Sequence, residues 1–97
     1  MNSFVITYDV LDDEVMNTQK SRSQVYADLI EAIKGYAAWG RVTESCWTVV
    51  TDVSAVTVRD HLLSLMRPMD RLFVIQSAHV AAWNNVMCSS NWLKENI

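Results

Sequence analysis

The order of apolar and amphipathic segments in this chain predicts an α+β domain, in which two helices cover one face of an antiparallel sheet. Three observations support this fold class. The chain opens on an almost continuous run of strand-forming residues, from Ser3 to Val10. Two later stretches repeat apolar residues at the spacing of an amphipathic helix. Each of those stretches is followed by a further β-branched or aromatic run, so strand and helix patterns alternate along the chain.

The composition is that of a single globular domain. The chain has 97 residues, which suffice for one hydrophobic core and are too few for two. About half of the residues are apolar, so a core can form without disulfides or structural metals. The two cysteines, Cys46 and Cys88, form neither a disulfide framework nor a Cys-x-x-Cys motif, and we expect free thiols. With no secretory signal and no long apolar run, the expectation is a cytoplasmic protein that does not enter a membrane.

The first half of the chain predicts a strand, a loop and a helix. The opening strand, residues 3–10, has little alternation left for water, which is typical of a central strand. Residues 12–22 are polar and show no period, which predicts a loop. An apolar stripe then predicts a helix that is capped by Ser21 or Ser23 and runs to Tyr36.

The middle of the chain predicts further strands and a second helix. Residues 40–51 form a β-branched and aromatic run, long enough for two short strands or one strongly bent strand. The small residues Ser45–Cys46 permit a tight bend or a β-bulge within it. A second amphipathic helix, capped by Asp52 or Ser54, then ends at Pro68.

Residues 71–76 predict the last strand, which completes the order β-α-β-β-α-β of ferredoxin-like folds. In that fold we expect Phe4–Tyr8 and Leu72–Ile75 to be adjacent strands. We assign residues 1–77 to the ferredoxin-like domain and residues 78–97 to a C-terminal extension of the same domain. The core is predicted to contain Phe4, Ile6, Leu29, Ile33, Val58, Leu62, Phe73 and Ile75.

The number of tryptophans exceeds the need of a small two-layer core. The chain contains Trp39, Trp47, Trp83 and Trp92. Since two helices cover only one face of the sheet, the other face needs a cover, and a tail rich in apolar residues can provide it. Ser89 or Ser90 can cap a short helix in that tail. We expect four tail residues to be buried against the sheet or a second subunit, and three of them (Trp83, Trp92 and Leu93) to contribute to a dimer interface. The four are Ala82, Trp83, Trp92 and Leu93.

Three short segments resemble one family. Tyr8–Val10 (YDV), at the end of an apolar strand, resembles the corresponding strand end of the small CRISPR-associated Cas-two proteins and the related VapD-like toxins. Arg41–Trp47 (RVTESCW) and Arg71–Ile75 (RLFVI) are similar to two further segments of that family, in the same order. The resemblance extends over residues 3–77. The tail is more similar to that of small stand-alone relatives of the SinR-like type.

This resemblance implies a ferredoxin-like homodimer with a site at the two-fold axis. The family aspartate that matches Asp9 faces its copy across that axis, where the pair can hold a divalent metal such as Mg²⁺. The resemblance therefore implies a metal-dependent endonuclease that acts on RNA or DNA, with Asp9 as catalytic residue and metal ligand. Arg41 and Ser45 would then bind the nucleic-acid substrate.

The charge of the chain supports a different function. Eleven acidic residues outnumber eight basic ones, and the run Asp12–Glu14 follows Asp9 closely. An acidic surface repels the phosphate backbone of a nucleic acid. The alternative hypothesis is a non-catalytic homodimeric interaction module, which binds a protein partner through its tryptophans and this acidic run.

The remaining reactive residues have no diagnostic spacing. We expect His61, on the second helix, and His79, after the last strand, to be surface histidines without a catalytic partner. Cys46 is expected to be a buried, inert thiol. Ser45 either shapes a bend or binds a phosphate. The sequence contains no phosphate-binding glycine loop and no serine-hydrolase motif.

Overall fold

In the computed structural model of the protein, residues 1–12 and 20–97 are described. Four strands and two helices follow the predicted order, and a third helix lies in the tail. The strands are β1 (Asn2–Asp9), β2 (Ala38–Thr43), β3 (Cys46–Thr51) and β4 (Arg71–Gln76), and the helices are α1 (Arg22–Ile33), α2 (Ala55–Leu63) and α3 (Ser90–Asn96). Most of the predicted loop after β1, including two of the three residues of the acidic run, falls on residues 13–19, outside the described residues.

The four strands form one antiparallel sheet in the order β2-β3-β1-β4. Because β3 lies antiparallel between β1 and β2, the unit β1-α1-β2 is a split βαβ unit. The unit β3-α2-β4 is a second one, split by β1. This is the predicted ferredoxin-like fold. The predicted pairing of β1 with β4 is confirmed, with a register from Phe4–Gln76 to Asp9–Arg71.

The run over residues 40–51 forms two strands, as one of the two alternatives predicted. A two-residue turn, Glu44–Ser45, joins β2 to β3, and the Arg41 side chain holds it by donating from Nη2 to the Glu44 carbonyl at 2.8 Å. The shift in strand register lies between Arg41 and Thr43. Of the two alternatives predicted at Ser45–Cys46, the tight bend is confirmed, because Ser45 belongs to the turn itself, and the irregularity in register lies in β2 instead.

The core lies between the sheet and the helices α1 and α2. Serine side chains cap both helices, since Ser21 Oγ accepts the N–H of Gln24 and Ser54 Oγ accepts the N–H of Thr57. Within the core, Trp47 Nε1 donates to the Tyr8 hydroxyl at 3.0 Å, which satisfies the polar atom of a buried indole. The buried apolar side chains of this layer are Phe4, Ile6, Tyr8, Val10, Val25, Leu29, Ile33, Trp47, Val49, Val58 and Leu62.

The predicted core was wrong at two positions in β4. Phe73 and Ile75 are 58% and 50% exposed, and they lie on the face of the sheet away from α1 and α2. Their neighbours Leu72 and Val74 face the helices, because they pair with the inward-facing Tyr8 and Ile6 of β1. Since every position from Leu72 to Ile75 is apolar, the sequence carries no alternation that distinguishes the two faces.

The tail crosses the sheet to the edge of β2 and then covers part of its second face. It leaves β4 with the Ser77 N–H donating to the Ser3 carbonyl, and later the Met87 N–H donates to the Val42 carbonyl at 3.0 Å. Ser89 caps α3 by accepting the N–H of Trp92, as one of the two predicted alternatives. Leu93 is fully buried, as predicted.

The other predicted tail contacts differ in their degree of burial. Trp92 is half-buried with its ring over Gly40, and Trp83 is half-buried with Nε1 donating to Ser90 Oγ at 3.2 Å. Ala82 is exposed, which corrects its predicted burial. Ala82 is exposed because the segment before α3 runs along the surface of the molecule. Two residues of this segment, His79 and Asn85, adopt positive φ. None of the helices among residues 1–12 and 20–97 has the length and apolarity needed to cross a bilayer.

A buried ion pair that follows α2 contacts both Leu11 and Lys20. The side chains of Arg67 and Asp70 are 1% and 0% exposed, with Arg67 Nε 3.2 Å from Asp70 Oδ2. Asp70 Oδ1 also accepts the N–H of Leu11 at 3.1 Å. The Arg67 guanidinium donates to the carbonyls of Leu11 and Lys20. The pair therefore connects the residues that follow β1 to those that precede α1.

The hydrogen bonds of this pair set the titration of Asp70. Burial by itself would raise the pKa of the Asp70 carboxyl. The hydrogen bonds from Arg67 and from the Leu11 N–H, together with the Arg67 charge, outweigh burial and lower the pKa below its ordinary value. Asp70 is therefore ionised across the neutral range and well into acid.

The substitution Asp70→Asn is expected to destabilise the protein by about 3–5 kcal/mol, because it removes the buried carboxylate that pairs with the Arg67 guanidinium and accepts the Leu11 N–H. In the wild type, the contribution of Asp70 is present above its unfolded pKa of about 4 and is lost as the pH falls through the lower folded pKa. Asp70→Asn removes that part of the acid dependence. Urea unfolding between neutral pH and pH ~2 measures both effects.

A matched control is Asp60→Asn, which breaks the surface pair between Arg59 and Asp60, whose side chains are more than half exposed. This change is expected to cost less than about 1 kcal/mol. Equal losses of stability in the two variants would contradict the assigned role of the buried pair.

Candidate functional site

The second face of the sheet is divided into a covered half and an open half. Helix α3 covers the β2–β3 half, where the Trp92 ring lies so close to Gly40 that a Cβ at that position would come within 2.8 Å of ring carbons. The β1–β4 half carries no helix among the described residues. We call this surface the open half-face, and it consists of Val5, Thr7, Asp9, Arg71, Phe73 and Ile75.

The open half-face has an apolar centre and a charged end. Phe73 and Ile75 project from the edge strand β4, beside Thr7 and Val5 of β1. At the end of this surface Arg71 Nη1 lies 2.8 Å from Asp9 Oδ2, in a cross-strand ion pair. Both charged side chains are more than half exposed, so the pair adds little to the stability of the single chain. It remains accessible to a partner molecule.

The predicted metal ligand Asp9 lies on this surface, at the last position of β1. No group of three or more histidine, cysteine, aspartate or glutamate side chains suited to a metal occurs in the described parts of the chain. One carboxylate paired with an arginine does not fit Mg²⁺, which needs a nearly complete shell of oxygen ligands. A metal site at Asp9 therefore requires ligands beyond those that the described residues of this subunit bring together.

The two predicted substrate-binding residues lie in different places. Ser45 is in the turn before β3, and its carbonyl accepts the Tyr8 N–H at 3.1 Å, which places it next to the end of β1. Arg41 lies on the helix side of the sheet, with its guanidinium 4.8 Å from the centre of the Trp47 ring. The structure thus brings Ser45 close to Asp9 along the backbone and leaves Arg41 on the opposite face. Their roles in substrate binding stay predictions.

The predicted interface residues of the tail pack within their own chain. Leu93 and Trp92 seal the covered half of the sheet, and Trp83 holds the start of α3 through Ser90. Their contribution to a subunit contact stays a prediction. Their observed contribution is to leave the β1–β4 half as the uncovered part of this face.

Apart from the open half-face, the molecule has a concave surface between α1 and α2. It is an open groove of about 750 Å³ lined by polar and apolar groups, including the carboxylates of Asp28 and Glu31. Tyr36 and His61 form one wall, with their rings 6.4 Å apart and nearly perpendicular. His61 is exposed, as predicted, and so is His79, whose Nδ1 lies 2.6 Å from the Ile97 carbonyl oxygen. The Asp28 carboxylate is paired with Lys20 at 2.7 Å.

Sequence reasoning did not identify Arg71 as part of the site, although a signal was available. The predicted pairing of β1 with β4 implies an antiparallel register, and extending that register by one residue places Arg71 opposite Asp9. Phe73 is predicted in the core because the apolar run Leu72–Ile75 carries no alternation between the two faces of the sheet. The charged end and apolar centre of the open half-face therefore follow from the strand register.

The geometry defines a class of protein: a ferredoxin-like α+β domain with one face of its sheet half covered by its own tail. No family model and no curated protein matches this chain. Its function is consequently argued from these surfaces.

The substitution Gly40→Ala is expected to loosen the cover formed by α3. The new methyl group would overlap the Trp92 ring, and overpacking of this kind costs roughly 1–3 kcal/mol. The amide of Leu93 should exchange with solvent faster, and the melting temperature should fall by several degrees. Hydrogen exchange and thermal unfolding measure the two effects.

The control is Gly35→Ala, at the end of α1, where an added Cβ would lie 3.2 Å from the Ala32 carbonyl oxygen. This change should leave the exchange of α3 amides unaltered. Unchanged α3 exchange in Gly40→Ala would show that Trp92 does not rest on Gly40.

Proposed function

We propose that this protein is a homodimeric interaction module whose subunits meet through the open half-face. The observation that carries the proposal is the exposure of Phe73 and Ile75 side by side on the bare half of the sheet. Large apolar side chains clustered on a surface mark a contact site in most soluble proteins. A cytoplasmic location is part of the proposal, since both cysteines are free thiols.

A second copy of the chain is the occupant that fits this surface. A two-fold interface requires a patch that complements itself, because each residue i that contacts j is matched by j contacting i. Asp9 and Arg71 provide such complementarity, since each can pair with the opposite charge of the partner subunit. In addition, the outer edge of β4 has no strand partner within the described residues, so its backbone groups are available for pairing.

The size of the apolar contact indicates a weak dimer. Full burial of a large apolar side chain contributes roughly 1.5–3 kcal/mol. Since Phe73 and Ile75 are already about half covered, the four side chains of a dimer gain on the order of 3–6 kcal/mol. Association costs roughly 4–15 kcal/mol in lost freedom. The apolar contact alone does not offset this cost, so a dimer of micromolar affinity also needs pairing along β4 and contacts of the exposed tail.

The resemblance of residues 8–10, 41–47 and 71–75 to the Cas-two and VapD-like family supports the same proposal, since it implies a homodimer. The acidic balance of the chain favours an interaction module over a nucleic-acid-binding enzyme. In this proposal the homodimer binds a protein partner and performs no chemistry of its own.

The substitution Phe73→Glu is expected to weaken the dimer by roughly tenfold or more, because it places a charge at the centre of the apolar contact. Sedimentation velocity at tens of micromolar protein measures the association. The wild type should approach twice the subunit mass of 11.1 kDa, and the variant should remain at that mass.

The matched control is Val53→Glu, because Val53 is also exposed (37%) and lines the groove between α1 and α2 rather than the open half-face. This variant should associate as the wild type does. A wild type that sediments at 11.1 kDa at the highest concentration reached would contradict the homodimer, and so would equal losses in both variants.

A second candidate function is that of a metal-dependent endonuclease. The observation in its favour is the position of Asp9, which is exposed at the end of β1 on the surface proposed to meet a second copy. A two-fold contact there would bring two Asp9 carboxylates toward each other, which one chain cannot achieve. No catalytic step is assigned, because Asp9 in the single chain is paired with Arg71.

If the endonuclease hypothesis holds, Asp9→Asn should abolish Mg²⁺-dependent cleavage of RNA or double-stranded DNA. It should leave the melting temperature nearly unchanged, since the lost ion pair is solvent-exposed. The control Asp52→Asn removes an exposed carboxylate just before α2 and should keep wild-type activity. Residual cleavage that is equal in the wild type and in Asp9→Asn would refute this candidate function.

A further inference from the structure

The tail of the chain brings a cysteine to the same end of the sheet as the cysteine of β3. Cys46 is the first residue of β3, where it pairs with Thr7 of β1 on one side and with Thr43 of β2 on the other. Its neighbour Trp47 faces the helical core, so the alternation of the strand directs Cys46 to the second face, which α3 partly covers.

Cys88 approaches the same place from the edge of the sheet. The residue before it, Met87, donates its N–H to the Val42 carbonyl of β2, and the residue after it, Ser89, caps α3. Cys88 therefore lies where the chain turns from the edge of β2 onto the second face. Val42 is adjacent to Thr43, the strand partner of Cys46.

The two thiols are close enough to affect each other electrostatically. The pKa of the Cys46 thiol is raised, first by its burial and then by the neighbouring charge on Cys88. Both thiols are half-buried and free. Cys88 also lines a surface cavity of about 280 Å³ with Met87, Ser89 and Trp92, whereas Cys46 is not part of its wall. A small reagent thus reaches Cys88 first.

We propose that Cys46 and Cys88 form a reversible disulfide that fastens the C-terminal segment, residues 77–97, to the sheet. The oxidant is a low-molecular-weight disulfide. The Cys88 thiolate attacks one of its sulfur atoms, which forms a mixed disulfide on Cys88 and releases one small thiolate. The Cys46 thiolate then attacks the Cys88 sulfur, so that the protein disulfide forms and the second small thiolate leaves. Two protein thiols are oxidised, one small disulfide is reduced, and the two protons pass to the released thiolates.

The contacts beneath the segment explain why such a bond would matter. The hydroxyls of Ser3 and Thr48 are buried on the second face and have no hydrogen-bond partner within the described parts of the chain. If the C-terminal segment lifted from the sheet, the two hydroxyls would hydrogen-bond to water, which lowers the free-energy cost of this local opening. In the reduced protein the cover can therefore open locally, and the disulfide opposes that opening. This inference is independent of the proposed homodimer.

The test oxidises the native wild-type protein with oxidised glutathione at neutral pH. The expected product has no titratable thiol, has lost two hydrogen atoms in its intact mass and carries no glutathione. Its melting temperature should rise by roughly 5 °C or more, because a bond between residues 46 and 88 closes a long loop in the unfolded chain. Exchange of the Met87 and Leu93 amides should slow by roughly tenfold or more.

The single variants separate the two steps. Cys46→Ser should stop at the mixed disulfide and gain one glutathione, whereas Cys88→Ser should react more slowly than Cys46→Ser. The proposal is overturned if the native wild type binds a glutathione at each cysteine, forms disulfides between chains, or does not react. It is also overturned if an internal disulfide forms without a gain in melting temperature or in amide protection.

Discussion

The buried pair of Arg67 and Asp70 is the interaction on which the connections of this fold depend. The two residues lie between α2 and β4, and they contact Leu11, which follows β1, and Lys20, which precedes α1. A buried charge is tolerated when its partner and its remaining hydrogen bonds are all in place. This pair meets that condition, since the Asp70 carboxylate accepts bonds from the Arg67 side chain and from two backbone N–H groups. Both split βαβ units are thereby fastened at one point.

The sheet has two faces of different character, and the proposed contact with a second copy lies on one of them. The helical face is a closed core with its one buried indole N–H satisfied by Tyr8. The second face is covered only where the tail reaches, through Leu93 and through the contact of Trp92 with Gly40. The remaining half exposes Phe73 and Ile75 next to a charged pair. A protein of this size that needed only stability would bury those side chains, so their exposure is the main argument for a partner.

Electrostatics favours one of the two candidate functions over the other. Asp9 is well placed for a site on a two-fold axis, but Arg71 neutralises it in the single chain. The chain as a whole carries more acidic than basic residues, and Arg41 lies on the other face, stacked on Trp47. These features offer little attraction to a phosphate backbone near Asp9. The same charges suit a self-complementary protein contact, in which each Asp9 meets an Arg71 of the partner subunit.

The sequence by itself determined the order of the elements, their helix caps and the pairing of the first strand with the last. Ser21 and Ser54 could be named as candidate caps, and the periodic residues Leu29, Ile33, Val58 and Leu62 as core, because these features depend on local pattern. Only the tertiary structure decided the orientation of β4, since the run Leu72–Ile75 is apolar throughout. Its register with β1 turned Phe73 and Ile75 outward and set Arg71 against Asp9. The approach of Cys46 to Cys88 was likewise decided by the path of the tail across the sheet, which no local pattern records.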